Sequence, residues 1–201
     1  MIFFTGDHHF FHKKIIIHCK RPFENEVEMN YALIDAWNAK VGPDDIVYHL
    51  GDFTLGGRDL ASAIFTCLNG RIIVLHNSWH HDKKWLRHHS DSGHSPKCYK
   101  SRSDHWVIFT DPLVAFDVST IRWVVLCHYA LRTWDRRHHG SWHLYGHSHG
   151  TLEDEGLSMD VGVDAVSRYG LEPYAPVSLD EVRKIMEGRV RENGSWDRSK
   201  L

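Results

Sequence analysis

Two histidines in the segment 145–150, which reads YGHSHG, have a spacing that suits the binding of a metal ion. The residues Trp142–Tyr145 before them predict a short strand, and side chains two residues apart in a strand lean toward the same face. His147 and His149 would then point to one place just beyond the strand end, and imidazole is a common ligand of borderline metals. A single pair is weak evidence, because 18 histidines are spread along this chain. The interpretation therefore depends on whether other segments supply further ligands.

Other polar residues also stand where predicted strands end. They are Asp7 with His9 after strand 2–5, Asp52 after 46–50, Asn77 after 71–75, and His128 after 121–127. In an open α/β sheet, sites form outside the carboxyl ends of the strands, so we expect these side chains to meet at one edge. The mixture of imidazole, carboxylate and amide groups suits Mn, Fe or Zn, and no thiolate favours a structural zinc. A typical catalytic zinc takes three protein groups, so two metals that share a carboxylate account for the number of ligands better.

The order of the predicted elements indicates an α/β fold. Apolar runs predict strands over 2–5, 46–50, 71–75, 106–109, 113–116, 121–127, 142–145 and 157–163, and helical spacing predicts helices over about 14–19, 26–40, 58–68 and 178–186. The first half therefore reads βαβαβ, which predicts that its strands are parallel. Ser178, with Glu181 three residues later, predicts a capping box at the start of the last helix.

Length and composition narrow the classes of protein. A chain of 201 residues with 42% hydrophobic residues fits one domain, which we place at 1–190, followed by a polar tail at 191–201. The net charge of -2 indicates no general attraction to nucleic acid or to an anionic membrane. The four cysteines have no C-x-x-C spacing and indicate free thiols. No apolar run approaches the roughly 18 residues of a membrane span, so we expect a cytoplasmic protein that does not bind a membrane.

The ordered motifs of this chain resemble those of a known superfamily. Asp7-x-His9, Gly51-Asp52, His128 and Gly146-His147-Ser148-His149 resemble the D-x-H, G-D, H and G-H-x-H motifs of the calcineurin-like metallophosphoesterases. Small bacterial and phage-type members are most similar, through the segments 19–23 (CKRPF), 48–53 (YHLGDF) and 140–144 (GSWHL). The resemblance covers residues 1 to about 163, and its motifs stand in the family's order.

The resemblance implies a dinuclear centre in a two-sheet mixed β-sandwich flanked by helices, in four αββα layers. The cofactors would be two divalent ions, with Mn favoured over Fe, Zn or Ni. The first ion would be held by Asp7, His9 and His149, the second by Asn77, His128 and His147, and both by Asp52. The implied reaction is hydrolysis of a phosphomonoester or phosphodiester by a hydroxide that bridges the metals, with Asp52 and an imidazole as catalytic groups.

The sequence departs from the superfamily at the G-N-H-D motif, where residues 76–82 read HNSWHHD. A match without gaps places Ser78 and Trp79 at the positions of the ligand and the acid. A shifted match makes Asn77 the ligand and His80 or His81 the acid, and a match through the closing His-Asp makes His80 the ligand and His81 the acid. We favour Asn77 as the ligand and His81 as the imidazole beside the leaving group.

Several further residues have two interpretations. Arg21 suits bidentate binding of a substrate phosphate, but a salt bridge is the alternative. The cluster Arg132, Arg136, Arg137, His138 and His139 is either a polyanion site or a solvated loop. Asp160 and Asp164 are expected to cap or orient their neighbours, and His8, His12, His49 and His143 to pack or to support ligands rather than to bind a metal.

The sequence thus predicts a metal-dependent phosphatase or phosphodiesterase whose partner is a phosphate-ester substrate. The first alternative is a metal-binding scaffold of the same fold with weak or no catalysis, which the departure at 76–82 supports. The second is a nuclease acting on short nucleic acids. The near-neutral charge and the lack of an extended basic stripe speak against strong binding of nucleic acid.

Overall fold

The computed structural model describes residues 1–75, 81–82, 85, 99–118 and 123–192. The strands are β1 (Ile2–Thr5), β2 (Ile46–His49), β3 (Arg71–Leu75), β4 (Ile108–Thr110), β5 (Leu113–Asp117), β6 (Trp123–Cys127), β7 (Trp142–Tyr145), β8 (Ser158–Asp160) and β9 (Val177–Ser178). The helices are α1 (Lys13–His18), α2 (Glu26–Lys40), α3 (Arg58–Phe65) and α4 (Leu179–Glu192), with 3₁₀ turns at Arg137–His139 and Val166–Tyr169.

The strands form two mixed sheets, which confirms the predicted α/β class. The first has the order β4-β3-β2-β1-β9, in which β1 to β4 are parallel and β9 is antiparallel to β1. The second has the order β5-β6-β7-β8, in which β6 to β8 are parallel and β5 is antiparallel to β6. The predicted parallel pairing of the first three strands is therefore correct. Strand β9 was not predicted, because two residues carry no readable period.

Two hydrophobic clusters hold these elements together. The first packs α1, α2 and α3 on one face of the first sheet, with Trp37 and Phe65 among its fully buried side chains. The second joins the sheets, because Phe4 of β1 packs in the same cluster as Leu126 of β6 and Leu144 of β7. In β3, β6 and β7 the residues that enter one cluster alternate along the strand, as Ile72 and Val74 do in β3.

The last helix has the predicted cap but a different end. The backbone N–H groups of Ser178 and Glu181 donate to each other's side chains, at 2.7 and 3.2 Å, so the capping box is confirmed. Helix α4 continues to Glu192, beyond the predicted end near Met186. The physical reason is that Val190 still packs against the second cluster. The first two residues of the predicted polar tail are therefore helical, and 193–201 lie outside the described residues.

Two further expectations concern cysteines and membranes. Cys19, Cys67 and Cys127 are free, as predicted, and Cys98 lies outside the described residues. Within the described ranges, no helix has both the length and the apolar character needed to cross a membrane.

A buried imidazole in β7 makes the stability of the fold depend on pH. His143 Nδ1 lies 3.1 Å from the Val125 carbonyl and Nε2 accepts from the Leu131 amide at 3.0 Å, so both nitrogens are used by the neutral ring. Burial lowers the pKa of His143. Below the unfolded pKa of about 6.5, only the unfolded chain takes up this proton, so the free energy of unfolding falls as the pH falls.

We expect His143→Gln to flatten this pH dependence. The slope of the unfolding free energy between pH 5 and 6.5 should fall by up to about 1.4 kcal/mol per pH unit, the limit for one group. Urea denaturation at several pH values measures it, and His18→Gln is the control because His18 is exposed. An unchanged slope would contradict the assignment.

Candidate metal centre

The predicted ligands of the described chain lie together at the carboxyl ends of four strands. Asp7 and His9 follow β1, Asp52 follows β2, His128 follows β6, and His147 and His149 follow β7. Backbone hydrogen bonds continue past the strands, from Asp7 N to Gly51 O at 3.0 Å and from Gly146 N to His128 O at 3.0 Å. An amide of the segment after β8, Val163 N, donates to Gly6 O at 3.1 Å and so ties the second sheet to the first. The strand ends of both sheets therefore meet. Asn77 lies outside the described residues.

The backbone at these positions is in an uncommon conformation. Among the described residues, ten that are not glycine have a positive φ, and five of the ten are Asp7, His9, Asp52, His147 and His149. Left-handed backbone costs free energy for residues with a Cβ and persists where surrounding structure holds it. Its concentration on the predicted ligands is independent evidence that this edge is a functional site.

The side chains fall into groups that each suit one cation. In the first group, each residue contributes one nitrogen or oxygen atom, and these atoms lie within 4.8 Å of one another; its members are Asp7, His9 and His149. The second group meets the same distance and consists of Asp52, His128 and His147. This division places His147 and His149 in different groups, as the resemblance implies. A third such group combines His9 and Asp52 with His81.

Asp52 lies between the first two groups. Its Oδ2 is 3.5 Å from His9 Nε2 and 3.6 Å from His128 Nε2. One carboxylate oxygen is thus close to imidazoles of both groups, which is the position a bridging ligand requires. Its other oxygen, Oδ1, accepts from the His81 amide at 3.3 Å.

The chemistry of the donors fits divalent metals. Asp7 Oδ1 and His9 Nε2 are fully buried and have no hydrogen-bond partner among the described residues. Burial, together with the nearby carboxylates of Asp160 and Asp52, raises the pKa of Asp7 well above its usual value. A buried carboxylate oxygen without a hydrogen-bond partner is costly, and a bound cation removes that cost. The donors of the two groups about Asp52 are nitrogen and oxygen atoms, which suit Mn, Fe, Zn or Ni. A further group combines His149 and Asp164 with the thiol of Cys19.

Two glycines make room for the Asp7 carboxylate. A Cβ on Gly146 would lie 2.5 Å from Asp7 Oδ2, and a Cβ on Gly162 would lie 2.4 Å from it. The space is used by the hydrogen bond from His147 N to Asp7 Oδ2 at 2.8 Å. Gly162 was not among the predicted site residues. Its signal was a glycine inside a strand-like run, which marks a close approach of backbone or ligand.

Asp160 holds the loop that carries both histidines. Its Oδ2 accepts from the Ser148 hydroxyl at 2.6 Å and the Gly150 amide at 3.0 Å, and its Oδ1 accepts from Gly162 N at 2.8 Å. This agrees with the expected capping role. The same turn explains why β8 is shorter than predicted, because Gly162 and Val163 bond to Asp160 and Gly6 instead of continuing the sheet.

Arg21 is buried, with 4% of its surface exposed, and its guanidinium is occupied by the protein. Nε and Nη2 donate to the two Asp164 carboxylate oxygens, each at 2.7 Å, while Nη1 and Nη2 also donate to the carbonyls of His8 and Asp7. The geometry corresponds to the salt-bridge alternative rather than to binding of a substrate phosphate. Asp164 in turn lies 2.7 Å from His149 Nδ1, which is the orienting role expected for it.

His81 lies beside the first group. Its ring centroid is 5.2 Å from that of His9 and 5.7 Å from that of His12, and its side chain is exposed. The next residue fixes this position, because the buried Asp82 accepts from the amides of Phe53 and Thr54 at 3.0 Å. His80 and Ser78, the alternatives for this motif, lie outside the described residues.

The remaining histidines and the basic cluster have structural contacts. His12 Nδ1 is 3.3 Å from His9 Nδ1, and the buried pair His8 and His49 joins at 3.0 Å. In the basic cluster, Arg137 donates to the Arg132 carbonyl and to the Glu155 carboxylate. The guanidinium carbon of Arg136 lies 4.1 Å from the ring centroid of Trp123. These contacts correspond to the supporting and solvated-loop interpretations.

Comparisons with known proteins show similarity without a described activity. The chain is 29% identical over 192 residues to the uncharacterized protein MJ1445 of Methanocaldococcus jannaschii, covering 94% of this chain and 93% of that protein. The fold of the present chain is similar to the crystal structure of AQ665, a protein of unknown function from Aquifex aeolicus. The TM-score is 0.63 and the sequence identity 20%, and the match covers 92% of this chain and 98% of that one. At this identity the second likeness concerns the fold alone. No model of a known protein family matches the chain.

Proposed function

We propose that this protein is a dimetal phosphoesterase of the calcineurin-like type, which hydrolyses phosphomonoesters or phosphodiesters. The observation that carries the proposal is the position of Asp52, whose Oδ2 lies 3.5 and 3.6 Å from imidazoles of two separate ligand groups. The ordered motifs D-x-H, G-D, H and G-H-x-H support it. The finer layering, two sheets flanked by helices as αββα, is part of the same proposal.

The residues of the chain have distinct tasks in this proposal. Bound at the two groups, a pair of divalent ions would lower the pKa of a water and clamp the phosphoryl group. Asp7, His9 and His149 would hold one ion, and His128 and His147 the other, with Asn77 proposed as a further ligand. Asp52, whose Oδ2 is close to imidazoles of both groups, would contribute a ligand to both ions. His81 is exposed beside the first group, where it can hold a proton for the leaving group.

Metal-dependent turnover tests the proposal. The purified protein, stripped with a chelator, should be inactive and should recover hydrolysis of p-nitrophenyl phosphate or bis(p-nitrophenyl) phosphate with Mn²⁺, Fe²⁺, Zn²⁺ or Ni²⁺, most strongly with Mn²⁺. His128→Gln should lose this activity, whereas His138→Gln, in the exposed basic cluster, should keep it. Protein that binds two metals yet cleaves neither ester would favour the scaffold alternative. Cleavage restricted to short oligonucleotides would favour the nuclease.

His81→Ala tests the role of the exposed imidazole. If His81 protonates the leaving group, turnover of an alkyl phosphate should fall by about 10²-fold, while a p-nitrophenyl ester, whose leaving group needs no proton, should be affected much less. Metal content should stay at two ions per chain. His105→Ala serves as the control because it changes a histidine elsewhere. Equal losses on both esters, together with lost metal, would make His81 a ligand instead.

A further inference from the structure

Arg21 connects two parts of the first ligand group. The guanidinium donates to the Asp7 carbonyl at 2.7 Å and the His8 carbonyl at 2.8 Å, so it fixes the backbone of the first ligand loop. Its two bonds to Asp164 reach the other side of the group, because Asp164 bonds to His149. One buried cation therefore joins the loop after β1 to the segment after β8, and through Asp164 it reaches His149 in the loop after β7.

The hydrogen bond between Asp164 and His149 selects one form of the imidazole. Asp164 Oδ2 lies 2.7 Å from His149 Nδ1, and a carboxylate paired with an arginine accepts and does not donate. Nδ1 must then carry a proton. In the neutral ring this leaves the lone pair on Nε2, which is the nitrogen available to a metal.

We propose that Arg21 and Asp164 are positioning residues that prepare the first metal site, and that they act selectively on it. The inference rests on the proposed dinuclear centre and deepens it. Arg21 orders the Asp7 and His8 backbone, and Asp164 sets the tautomer and direction of His149. His128 and His147 of the second group follow β6 and β7 and are linked to the first group through the bond from the His147 amide to Asp7 Oδ2. The two metal sites would therefore respond differently to loss of this pair.

Asp164→Asn separates tautomer selection from simple packing. The amide has nearly the shape of the carboxylate, and its oxygen should accept from Arg21 Nε at the Oδ1 position, while Arg21 Nη2 keeps its bond to the Asp7 carbonyl. The amide NH₂ then faces His149 Nδ1, which must accept, and the proton moves to Nε2. His149 can no longer ligate, so Mn²⁺ affinity at the first site should fall by about 10–100-fold, the range for loss of a group that orients a ligand.

Compared with Asp164→Asn, Asp164→Ala should bind Mn²⁺ more tightly at the first site but be less stable. Alanine removes the carboxylate acceptor but places no donor against His149 Nδ1, so the proton is not forced onto Nε2. The loss of Mn²⁺ affinity should therefore be smaller than in Asp164→Asn. It also leaves Arg21 buried without its carboxylate, so the metal-free protein should be less stable than Asp164→Asn. If Asp164 had a purely structural role, the variant that loses more stability would also lose more Mn²⁺ affinity.

The experiment measures Mn²⁺ binding by calorimetry, with elemental analysis after desalting, and thermal unfolding of the metal-free proteins. Asp180→Asn is the matched control, because Asp180 pairs with Arg183 at the surface of α4. We expect two ions in the wild type and the control, and one tightly bound ion in Asp164→Asn. Two equally tight ions in Asp164→Asn, or loss of both with the fold intact, would overturn the inference and leave the metal centre standing. Absence of metal binding in the wild type would instead refute the proposed function.

Discussion

If the protein is the proposed phosphoesterase, Asp52→Ala should reduce its turnover by more than about 10³-fold. Asp52 Oδ2 is close to an imidazole of each ligand group, so its removal takes a ligand from both ions at once. Loss of a single transition-state donor in other enzymes costs about 10²–10³-fold, and loss of a shared ligand should cost more. The measurements are kcat/KM for p-nitrophenyl esters and the number of Mn²⁺ ions bound per chain.

The fold of this variant should survive. Burial is the main cause of the raised pKa of Asp7, and repulsion from the Asp52 carboxylate adds to it, so removing Asp52 takes away an unfavourable interaction along with the 3.3 Å hydrogen bond from the His81 amide. We expect an unchanged or higher melting temperature without metal, and a smaller rise on adding Mn²⁺ than in the wild type. Asp111→Ala, at an exposed position, is the control. Full activity in Asp52→Ala would disprove a bridging role.

Gly162→Ala is expected to destroy the first metal site although it adds one methyl group. The new Cβ would stand 2.4 Å from Asp7 Oδ2 and 3.0 Å from Asp160 Oδ1, and both neighbours are held by the protein. Asp7 must move, which breaks its bond to the His147 amide and shifts a ligand. A displacement near 1 Å at a catalytic group can cost about 10²-fold in rate, and here the metal would also be lost.

Gly188→Ala is the matched control for this substitution. Nothing lies within 4 Å of a Cβ at Gly188, which is inside helix α4. Alanine should therefore raise the free energy of unfolding by about 0.5–1 kcal/mol, the usual difference between these residues in a helix. Its metal content should remain that of the wild type. If Gly162→Ala also retains both ions, the close approach to Asp7 is not important for the site.

Much of the fold could be predicted from the sequence because buried strands appear in it as short apolar runs. The apolar runs at Ile2–Thr5, Arg71–Leu75 and Trp142–Tyr145 matched strands to the residue, and the βαβαβ order led to parallel pairing. The ends of two elements differ from the prediction because tertiary contacts override the local pattern. β8 stops at Asp160 because the next residues bond across to Gly6 and Asp160, and α4 extends because Val190 reaches the core.

The role of Arg21 was not readable in the same way. Its partner Asp164 is 143 residues away, and the sequence offered both phosphate binding and a salt bridge. Only the packing of the loop after β1 against the segment after β8 buries the guanidinium and brings the carboxylate to it. Gly162 and Asp82 are similar cases, because each acts through space on a residue of a different strand.

The types and order of the ligands were set by the sequence alone. The candidate ligands follow predicted strands that are apolar runs, and parallel strands bring their carboxyl ends to one edge; they are Asp7, His9, Asp52, His128, His147 and His149. The resemblance implied the division of these candidate ligands into two groups about Asp52, and Asp160 and Asp164 were expected to cap or orient their neighbours. The distances within the groups, and the partners that Arg21, Asp160 and Asp164 bind, came only from the tertiary structure. The reason is that these distances depend on how two separate sheets pack, and packing leaves no periodic pattern along the chain.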